Sequence, residues 1–202
     1  MIQTNTSLTC LVVDDHPLVC AAIKQLLDKG GRFETIIVEQ DPIKAQKLIQ
    51  KEHIDFLILD VNLVKSDGFE LLRRIKSHGF TGKSLFISAN DSRLYSETAY
   101  KLGADGYVCK SEDLNILNDA VECILNGYSF YKLMKDSGSN DVQLSKQELV
   151  VFTYLVDGKC NKDIAGILSL SPKTISTYKS RILEKYNVKS IVELMSINKN
   201  II

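Results

Sequence analysis

Five short apolar runs recur along the first 126 residues and constrain the fold more than any other feature of the chain. They lie at residues 11–13, 36–38, 56–59, 84–87 and 106–109. Apolar runs of this length are typical of strands that are buried on both faces of a parallel sheet. Helical periods separate the runs, and the first of them begins at Pro17 and ends at Gly30. The alternation predicts a doubly wound α/β domain with a five-stranded parallel sheet.

A polar segment separates this part of the chain from a second part that has only helical signals. The segment, residues 127–143, contains two glycines and the polar run 136–141, a composition typical of a linker. Helical periods follow at 145–156, 161–168, 172–186 and 190–198. They predict a small all-α domain of four helices. We therefore place the first domain at 1–126, the linker at 127–143 and the second domain at 144–202.

The charges are divided unequally between these two parts. The chain has 25 Lys and Arg residues against 25 Asp and Glu residues, but from Leu144 onward it has nine basic and five acidic residues. An acidic first domain joined to a basic second domain indicates two separate tasks, the second of which suits a polyanion.

Hydropathy and cysteine spacing indicate the cellular compartment of the protein. No apolar run is long enough to span a bilayer, and the first residues lack the pattern of a secretion signal. We expect a cytoplasmic protein without a membrane partner. The five cysteines show neither metal-type pairing nor disulfide-like spacing, which excludes a structural zinc site and fits a reducing compartment.

Polar residues follow the predicted strands at the edge where an open parallel sheet binds its ligands. They are Asp14, Asp15, Asp60, Ser88 and Lys110. Carboxylates that converge on one cleft repel one another, so a cation is needed to keep them ionised. Oxygen ligands of this kind suit Mg²⁺, which favours partners that carry phosphate. A divalent ion, an ammonium group and a hydroxyl around one carboxylate make a site for a phosphoryl group.

The motifs at these positions resemble those of the receiver domain of bacterial two-component response regulators, which has a flavodoxin-like fold. The resemblance covers about residues 8–126 and includes Asp14-Asp15-His16-Pro17, Asp60, Asp67-Gly68, Ser88-Ala89 and the run 103–110. It implies that a sensor histidine kinase transfers a phosphoryl group to one of the aspartates. In that family the acceptor corresponds to Asp60.

The same resemblance implies roles for the residues around the acceptor. Mg²⁺ would be held by Asp15, Asp60 and the backbone carbonyl of Asn62, with Asp14 acting through water. Lys110 would bind the phosphoryl oxygens. Ser88 would follow the phosphoryl group, and Tyr107 would rotate into the space that Ser88 leaves.

Three other interpretations of this region are weighed against that one. A Mg²⁺-dependent aspartyl phosphatase is disfavoured because such an enzyme needs an acid/base carboxylate two residues after its nucleophile, where this chain has Asn62. A receiver that never becomes phosphorylated is disfavoured because every reacting group is present. A redox role for Cys109 would need a thiol pKa lowered by Lys110, whereas we expect this thiol to lie inside its strand. We therefore expect a regulator and not an enzyme.

The third helical period of the second domain has the pattern of a DNA-recognition helix. It begins with Ser171 as a capping residue and Pro172 in its first turn. Its apolar face consists of Ile175, Tyr178, Ile182 and Tyr186. The opposite face carries short polar side chains flanked by cations, which permits close approach to base edges together with phosphate contacts. The pattern predicts a helix-turn-helix formed with the preceding helix.

Three runs in this domain resemble the LuxR-type helix-turn-helix of NarL/FixJ response regulators, and the Ser-Thr-Tyr-Lys run is similar to that of the BvgA/EvgA-like branch. They are residues 144–148, 161–165 and 171–181. The resemblance implies a phosphorylation-dependent transcription regulator that binds double-stranded promoter DNA as a homodimer. The residues expected at the DNA are Lys162, Lys173, Thr174, Ser176, Thr177, Lys179, Ser180 and Arg181. Those expected to pair the protomers are Ile191, Leu194 and Met195.

The chain departs from the usual pattern of these families at three positions. Val64 and Ser111 stand where prolines are common in receivers, and Tyr178 stands where most LuxR-type helices have histidine. Val64 is expected to make the loop after Asp60 more mobile and to alter the placement of the metal-binding carbonyl. Neither receiver departure removes a reacting group.

Overall fold

The chain forms two compact units, residues 1–131 and residues 132–202. The structure, a computed structural model, describes residues 7–64, 66–131, 142 and 144–199. Each unit is described by itself below. Among the described residues, no helix is long and apolar enough to cross a membrane.

The first unit is the doubly wound α/β fold that the alternating pattern predicts. Its elements are β1 (Thr9–Val13), α1 (Pro17–Gly30), β2 (Thr35–Glu39), α2 (Pro42–Lys51), β3 (Phe56–Asp60), β4 (Asn62–Leu63), β5 (Ser66–Asp67), α3 (Gly68–Ser77), β6 (Lys83–Ser88), α4 (Arg93–Lys101), β7 (Gly106–Cys109) and α5 (Leu114–Leu125). Five strands form one all-parallel sheet in the order β2-β1-β3-β6-β7. The predicted five-stranded sheet is confirmed.

Both faces of the sheet are buried along β1, β3, β6 and β7, as the continuous apolar runs predict, whereas the edge strand β2 is exposed to half-buried. One core contains Val12 and Ile58 from the central strands together with Ile23 of α1 and Val121 of α5. On the opposite face of the sheet, the Phe86 ring of β6 packs against Phe69 of α3, with the ring centroids 5.0 Å apart. Because successive side chains of a strand point to opposite faces, a run without polar residues can fill both cores.

A short hairpin follows the end of β3 and is absent from the sequence prediction. Its two-residue strands, β4 and β5, pair antiparallel. Asp67 then caps α3, and its Oδ1 accepts a hydrogen bond from the Glu70 backbone N–H at 2.7 Å. Burial raises the pKa of Asp67 to about 8. The hairpin therefore brings the chain from the acidic edge of the sheet directly into a buried helix cap.

Residues 128–131, which we call the edge strap, lie against the outer strand β7. Phe130 accepts a hydrogen bond from the Tyr107 backbone N–H and donates one to the Asp105 carbonyl, both at 2.9 Å. The Tyr131 hydroxyl donates to the Ala104 carbonyl at 2.7 Å. The first residues of the predicted linker therefore add to the sheet edge. The linker residues 132–141 and 143 lie outside the described residues.

The second unit has the four helices that the sequence predicts. They are α6 (Lys146–Val156), α7 (Asn161–Leu168), α8 (Pro172–Lys185) and α9 (Ile191–Lys199). Glu148 completes a capping box with Ser145 at the start of α6 and forms an ion pair with Lys185 of α8 at 2.7 Å. Burial alone disfavours the Glu148 carboxylate, but the bonds from Lys185 and Ser145 outweigh it and lower its pKa. This pair ties α8 to the core of its domain.

Candidate functional site

The acidic residues meet a lysine at the carboxyl end of the sheet. Asp14 follows β1, Asp60 ends β3, and Lys110 follows β7. Lys110 Nζ lies 2.8 Å from Asp14 Oδ2 and 2.9 Å from Asp60 Oδ2. The side chains of Asp14 and Asp60 are 0% and 2% exposed. One ammonium group therefore joins two buried carboxylates from different strands.

Burial and the contacts between Lys110 and the carboxylates shift the pKa values of these groups in opposite directions. Removal from water disfavours the carboxylate and raises the pKa of Asp60, and the hydrogen bond from Lys110 offsets this only in part. Burial by itself lowers the pKa of Lys110, but its bonds to Asp14 and Asp60 outweigh burial and leave that pKa raised. The lysine stays charged, and the cleft still holds more carboxylates than ammonium groups.

The donor set of the cleft fits a divalent cation. One oxygen or nitrogen each from Asp14, Asp15, His16 and Asp60 lies within 4.8 Å of the others. Asp60 Oδ1 is buried and has no hydrogen-bond partner in the part of the chain that the structure describes. A buried carboxylate oxygen without a donor is costly unless a cation satisfies it. An acidic cluster of this kind is the type that holds Mg²⁺ in receiver domains.

The loop after Asp60 is tied to the cleft at the position where receivers often have proline. The Val64 backbone N–H donates to Asp15 Oδ2 at 2.9 Å, a bond that proline could not make because it lacks that hydrogen. The sequence predicts a more mobile loop at this position but does not reveal this hydrogen bond.

The Asn62 side chain, 3.5 Å from Ser88 Oγ, occupies the position where a phosphatase would have its second carboxylate.

Ser88 and Tyr107, the predicted switch residues, are connected through Asn90. Ser88 Oγ accepts a hydrogen bond from the Asn90 backbone N–H at 3.1 Å. The Tyr107 hydroxyl donates to the Asn90 carbonyl at 2.5 Å. Tyr107 is 6% exposed, and burial raises its pKa, so the hydroxyl keeps its proton. Asn90 is not among the predicted site residues, although an asparagine two residues after a strand end is a typical turn former.

Cys109 lies inside the fold as expected. It is 2% exposed, and its Sγ lies 3.1 Å from Ser111 Oγ. A buried thiol in a hydrogen-bonded position has poor access to oxidants. The geometry supports a structural role for Cys109.

The helix α8 presents its polar residues to solvent. Ser171 Oγ caps it by accepting from the Thr174 N–H at 3.0 Å. None of the predicted DNA-contacting residues on α8 is fully buried. Thr174 and Lys179 are half-buried, and the others are exposed: Lys173, Ser176, Thr177, Ser180 and Arg181. Lys162 on α7 is also exposed. These side chains are therefore accessible from solvent, fully or in part.

The opposite face of α8 packs inward. Ile175 and Ile182 are 0% exposed, and the Tyr186 ring stacks on Phe152 of α6 with the centroids 5.2 Å apart. Tyr178 is half-buried. A reversal with Ser169 in the left-handed region separates α7 from α8. The two helices thus have the arrangement of a helix-turn-helix.

The predicted pairing residues on α9 do not all face outward. Leu194 is 1% exposed and belongs to the core of its own domain, where α9 packs on α6. It therefore offers no surface to a second protomer, contrary to the expectation. Ile191 and Met195 are half-buried, and Val192, which the sequence analysis did not name, is 72% exposed. Apolar residues at the helical spacing of 3.6 residues can pack in the core of their own domain or face a second protomer, and the sequence alone does not distinguish the two.

The two units match two family models. Residues 10–122 match the response regulator receiver domain, and residues 142–197 match the bacterial regulatory proteins of the luxR family. A receiver fold with an acidic cleft and a helix-turn-helix define a response regulator with a DNA-binding domain. The chain belongs to the LuxR/NarL-type family of two-component response regulators. The predicted membership is confirmed.

Individual relatives match nearly the full length. The Fimbriae Z protein of Salmonella typhimurium (strain LT2) is 37% identical over 200 residues, which cover 94% of this chain and 95% of the relative. The virulence transcription regulator BvgA of Bordetella pertussis is 34% identical, with the same coverage. RcsB from Salmonella enterica serovar Typhimurium, bound to promoter P1flhDC with the phosphomimetic BeF3⁻, has a TM-score of 0.70 at 22% identity, covering 95% of this chain and 98% of that one. At that identity the structural likeness shows the fold alone.

Proposed function

We propose that the chain accepts a phosphoryl group on Asp60 from a sensor histidine kinase and then binds promoter DNA as a dimer. The observation that carries this proposal is the shared contact of Lys110 Nζ with Asp14 and Asp60, at 2.8 and 2.9 Å in a buried cleft. A preorganised ammonium group next to a carboxylate oxygen stabilises the charge that develops on a transferring phosphoryl group. The receiver is proposed at residues 1–126, the linker at 127–143 and the DNA-binding domain at 144–202.

The phosphoryl transfer is assigned to groups of this chain. An oxygen of Asp60 attacks phosphorus and forms the acyl phosphate, while the bond between phosphorus and the kinase imidazole breaks and its electron pair leaves with the imidazole. Lys110 binds the transferred phosphoryl oxygens through its ammonium group. Mg²⁺, when bound, would neutralise charge on those oxygens, held by Asp15, Asp60 and the Asn62 carbonyl, with Asp14 acting through water.

The phosphoryl group then changes the hydrogen bonds of Ser88 and Tyr107. Its oxygens attract the Ser88 hydroxyl, which has to leave the Asn90 N–H that it now contacts at 3.1 Å. Tyr107 gives up its 2.5 Å bond to the Asn90 carbonyl and turns toward the vacated space. To reverse a two-state population almost completely, the phosphoryl group has to favour one state by about 5.5 kcal/mol.

The DNA-binding half of the proposal uses the exposed face of α8. Ser176, Thr177 and Ser180 would face base edges, with the cations of that surface at the phosphates. The Thr177 hydroxyl donates to the Lys173 carbonyl at 3.1 Å within the helix, so its oxygen is left to accept a hydrogen bond from a base and its methyl group to contact thymine. These groups lack the bidentate fork of Arg or Asn. We expect DNA shape and the spacing of two half-sites to supply much of the specificity.

Beryllofluoride with Mg²⁺ tests the whole proposal. Because it mimics an acyl phosphate, it is expected to convert the full chain to a dimer in size-exclusion chromatography with light scattering. It is also expected to raise the affinity for host genomic DNA fragments by about tenfold or more. An unchanged mass together with unchanged DNA retention would contradict the proposal. Asp60→Asn is the control that should not respond.

The substitution Lys179→Ala tests the placement of one phosphate contact. It is expected to weaken binding to all DNA sequences and to flatten the slope of log affinity against log salt by about one unit, since one fewer counterion is released. Fluorescence anisotropy at several salt concentrations measures both quantities. Lys44→Ala, which removes an exposed lysine from the receiver helix α2, should leave the slope unchanged. A loss confined to one operator would assign base recognition to Lys179 instead.

A further inference from the structure

His16 directs its side chain at the acidic cleft and not at the helix that it precedes. It occupies the capping position of α1, yet its side chain makes no capping hydrogen bond. Instead Nδ1 lies 3.1 Å from Asp14 Oδ1 and 2.9 Å from Asp15 Oδ1. A histidine in this position is therefore oriented by the two carboxylates. Its side chain is 63% exposed, so it stands at the mouth of the cleft.

One proton on Nδ1 cannot satisfy both carboxylates. The contact with Asp14 Oδ1 has hydrogen-bond geometry. Asp15 Oδ1 is buried and has no hydrogen-bond partner among the described residues, although it lies only 2.9 Å from the same nitrogen. Two bonds of about 2.1 Å at right angles place neighbouring ligand atoms of a six-coordinate ion about 3 Å apart. The 2.9 Å distance from Nδ1 to Asp15 Oδ1 therefore matches one edge of a coordination shell.

The ion that such a shell prefers depends on whether His16 Nδ1 joins the carboxylate oxygens as a ligand. Asp60 Oδ1 supplies a second buried oxygen without a hydrogen bond in the described structure, and the four ligand atoms lie within 4.8 Å of one another. Carboxylate oxygens suit both Mg²⁺ and Mn²⁺, whereas an imidazole nitrogen is a poor ligand for Mg²⁺ and a better one for a first-row transition ion such as Mn²⁺. One nitrogen among oxygens would shift the preference without removing Mg²⁺ binding.

We propose that His16 Nδ1 is a metal ligand that makes this receiver prefer Mn²⁺ to Mg²⁺. The inference rests on the proposed function, because it assumes that the Asp60 cleft holds a divalent ion. It adds a nitrogen donor to the Asp15 and Asp60 carboxylates and the Asn62 carbonyl, with Asp14 still acting through water, and it assigns to His16 the discrimination between ions. The kinase reaction does not require it, since every group that touches the phosphoryl oxygens is present without it.

The test measures both ions on the full-length protein. Mn²⁺ affinity is obtained from the electron paramagnetic resonance signal of free Mn²⁺, and Mg²⁺ affinity from competition with Mn²⁺. His16→Ala is expected to weaken Mn²⁺ binding about tenfold and Mg²⁺ binding less than twofold. A histidine that only forms an ion pair would change both affinities alike, and such a result would overturn the proposal. His16→Gln, which keeps a polar side chain without the imidazole, should behave like His16→Ala.

A spectroscopic readout identifies the nitrogen directly. Spin-echo spectra of the Mn²⁺-loaded protein are expected to show coupling to an imidazole nitrogen that disappears in His16→Ala. His53→Ala is the matched control, because His53 also pairs with an aspartate, Asp55, at 3.1 Å but is absent from the cleft cluster. Persistence of the coupling in His16→Ala would refute the proposal. Failure of the wild-type protein to bind either ion would instead refute the metal site of the proposed function.

Discussion

Asp60→Asn is expected to abolish phosphorylation of the chain by acetyl phosphate and Mg²⁺. The carboxamide has nearly the same shape as the carboxylate, but it lacks the nucleophilic anionic oxygen that forms the acyl phosphate. Intact-protein mass spectrometry measures the incorporation of one phosphoryl group. The expected loss is complete, because Asp60 is the proposed acceptor and its Oδ2 lies 2.9 Å from Lys110 Nζ.

The controls separate loss of the acceptor from loss of the fold. Burial raises the pKa of Asp60, so ionising this residue costs folding free energy, and the neutral variant is expected to unfold at an equal or higher temperature. Asp105→Asn removes a carboxylate that pairs with Lys83 at 3.0 Å and should label like the wild type. Labelling of Asp60→Asn at the wild-type rate would move the acceptor to another residue, with Asp14 and Asp15 as the nearest choices.

Much of the fold could be predicted because its periodicity is regular. Each apolar run found in the first 126 residues is a strand of the sheet, and the four helical periods after the linker are α6 to α9. Buried parallel strands have mostly apolar residues on both faces, so they appear in the sequence as short continuous apolar runs. The topology then brings the strand ends together, which is why Asp14, Asp60 and Lys110 could be grouped before any contact was known.

The features that escaped prediction depend on contacts without a period. The β4–β5 hairpin has two residues in each strand, too few to show alternation. The edge strap attaches through backbone hydrogen bonds such as Tyr107 N–H to the Phe130 carbonyl, which place no requirement on the side chains. Leu194 and Val192 both look apolar in the sequence, yet one is 1% and the other 72% exposed. Only the packing of α9 on α6 distinguishes them.

Local geometry also explains why Gly68 follows Asp67. A Cβ at Gly68 would lie 2.1 Å from the Asp60 carbonyl oxygen and 2.9 Å from Val61 Cα. Both neighbours are backbone atoms, and the Gly68 N–H is bonded to the Val61 carbonyl at 2.8 Å. Neither the start of α3 nor the end of β3 can therefore move away without breaking a hydrogen bond or displacing Asp60. Glycine is needed here for close approach of two backbone segments.

Gly68→Ala is accordingly expected to destabilise the receiver by at least about 2 kcal/mol, in the range of overpacked buried sites, and to slow labelling of Asp60. Thermal unfolding followed by circular dichroism measures the first effect, and acetyl phosphate labelling the second. Gly30→Ala is the control in the same domain, because its Cβ would meet the end of the Arg32 side chain at 2.8 Å, and the end of a side chain can shift where a backbone atom cannot. That variant should keep wild-type stability and labelling. If Gly68→Ala matched it in both measurements, the close approach of α3 to the acceptor strand would not constrain the site, and the position of Asp60 would have to be fixed by Lys110 alone.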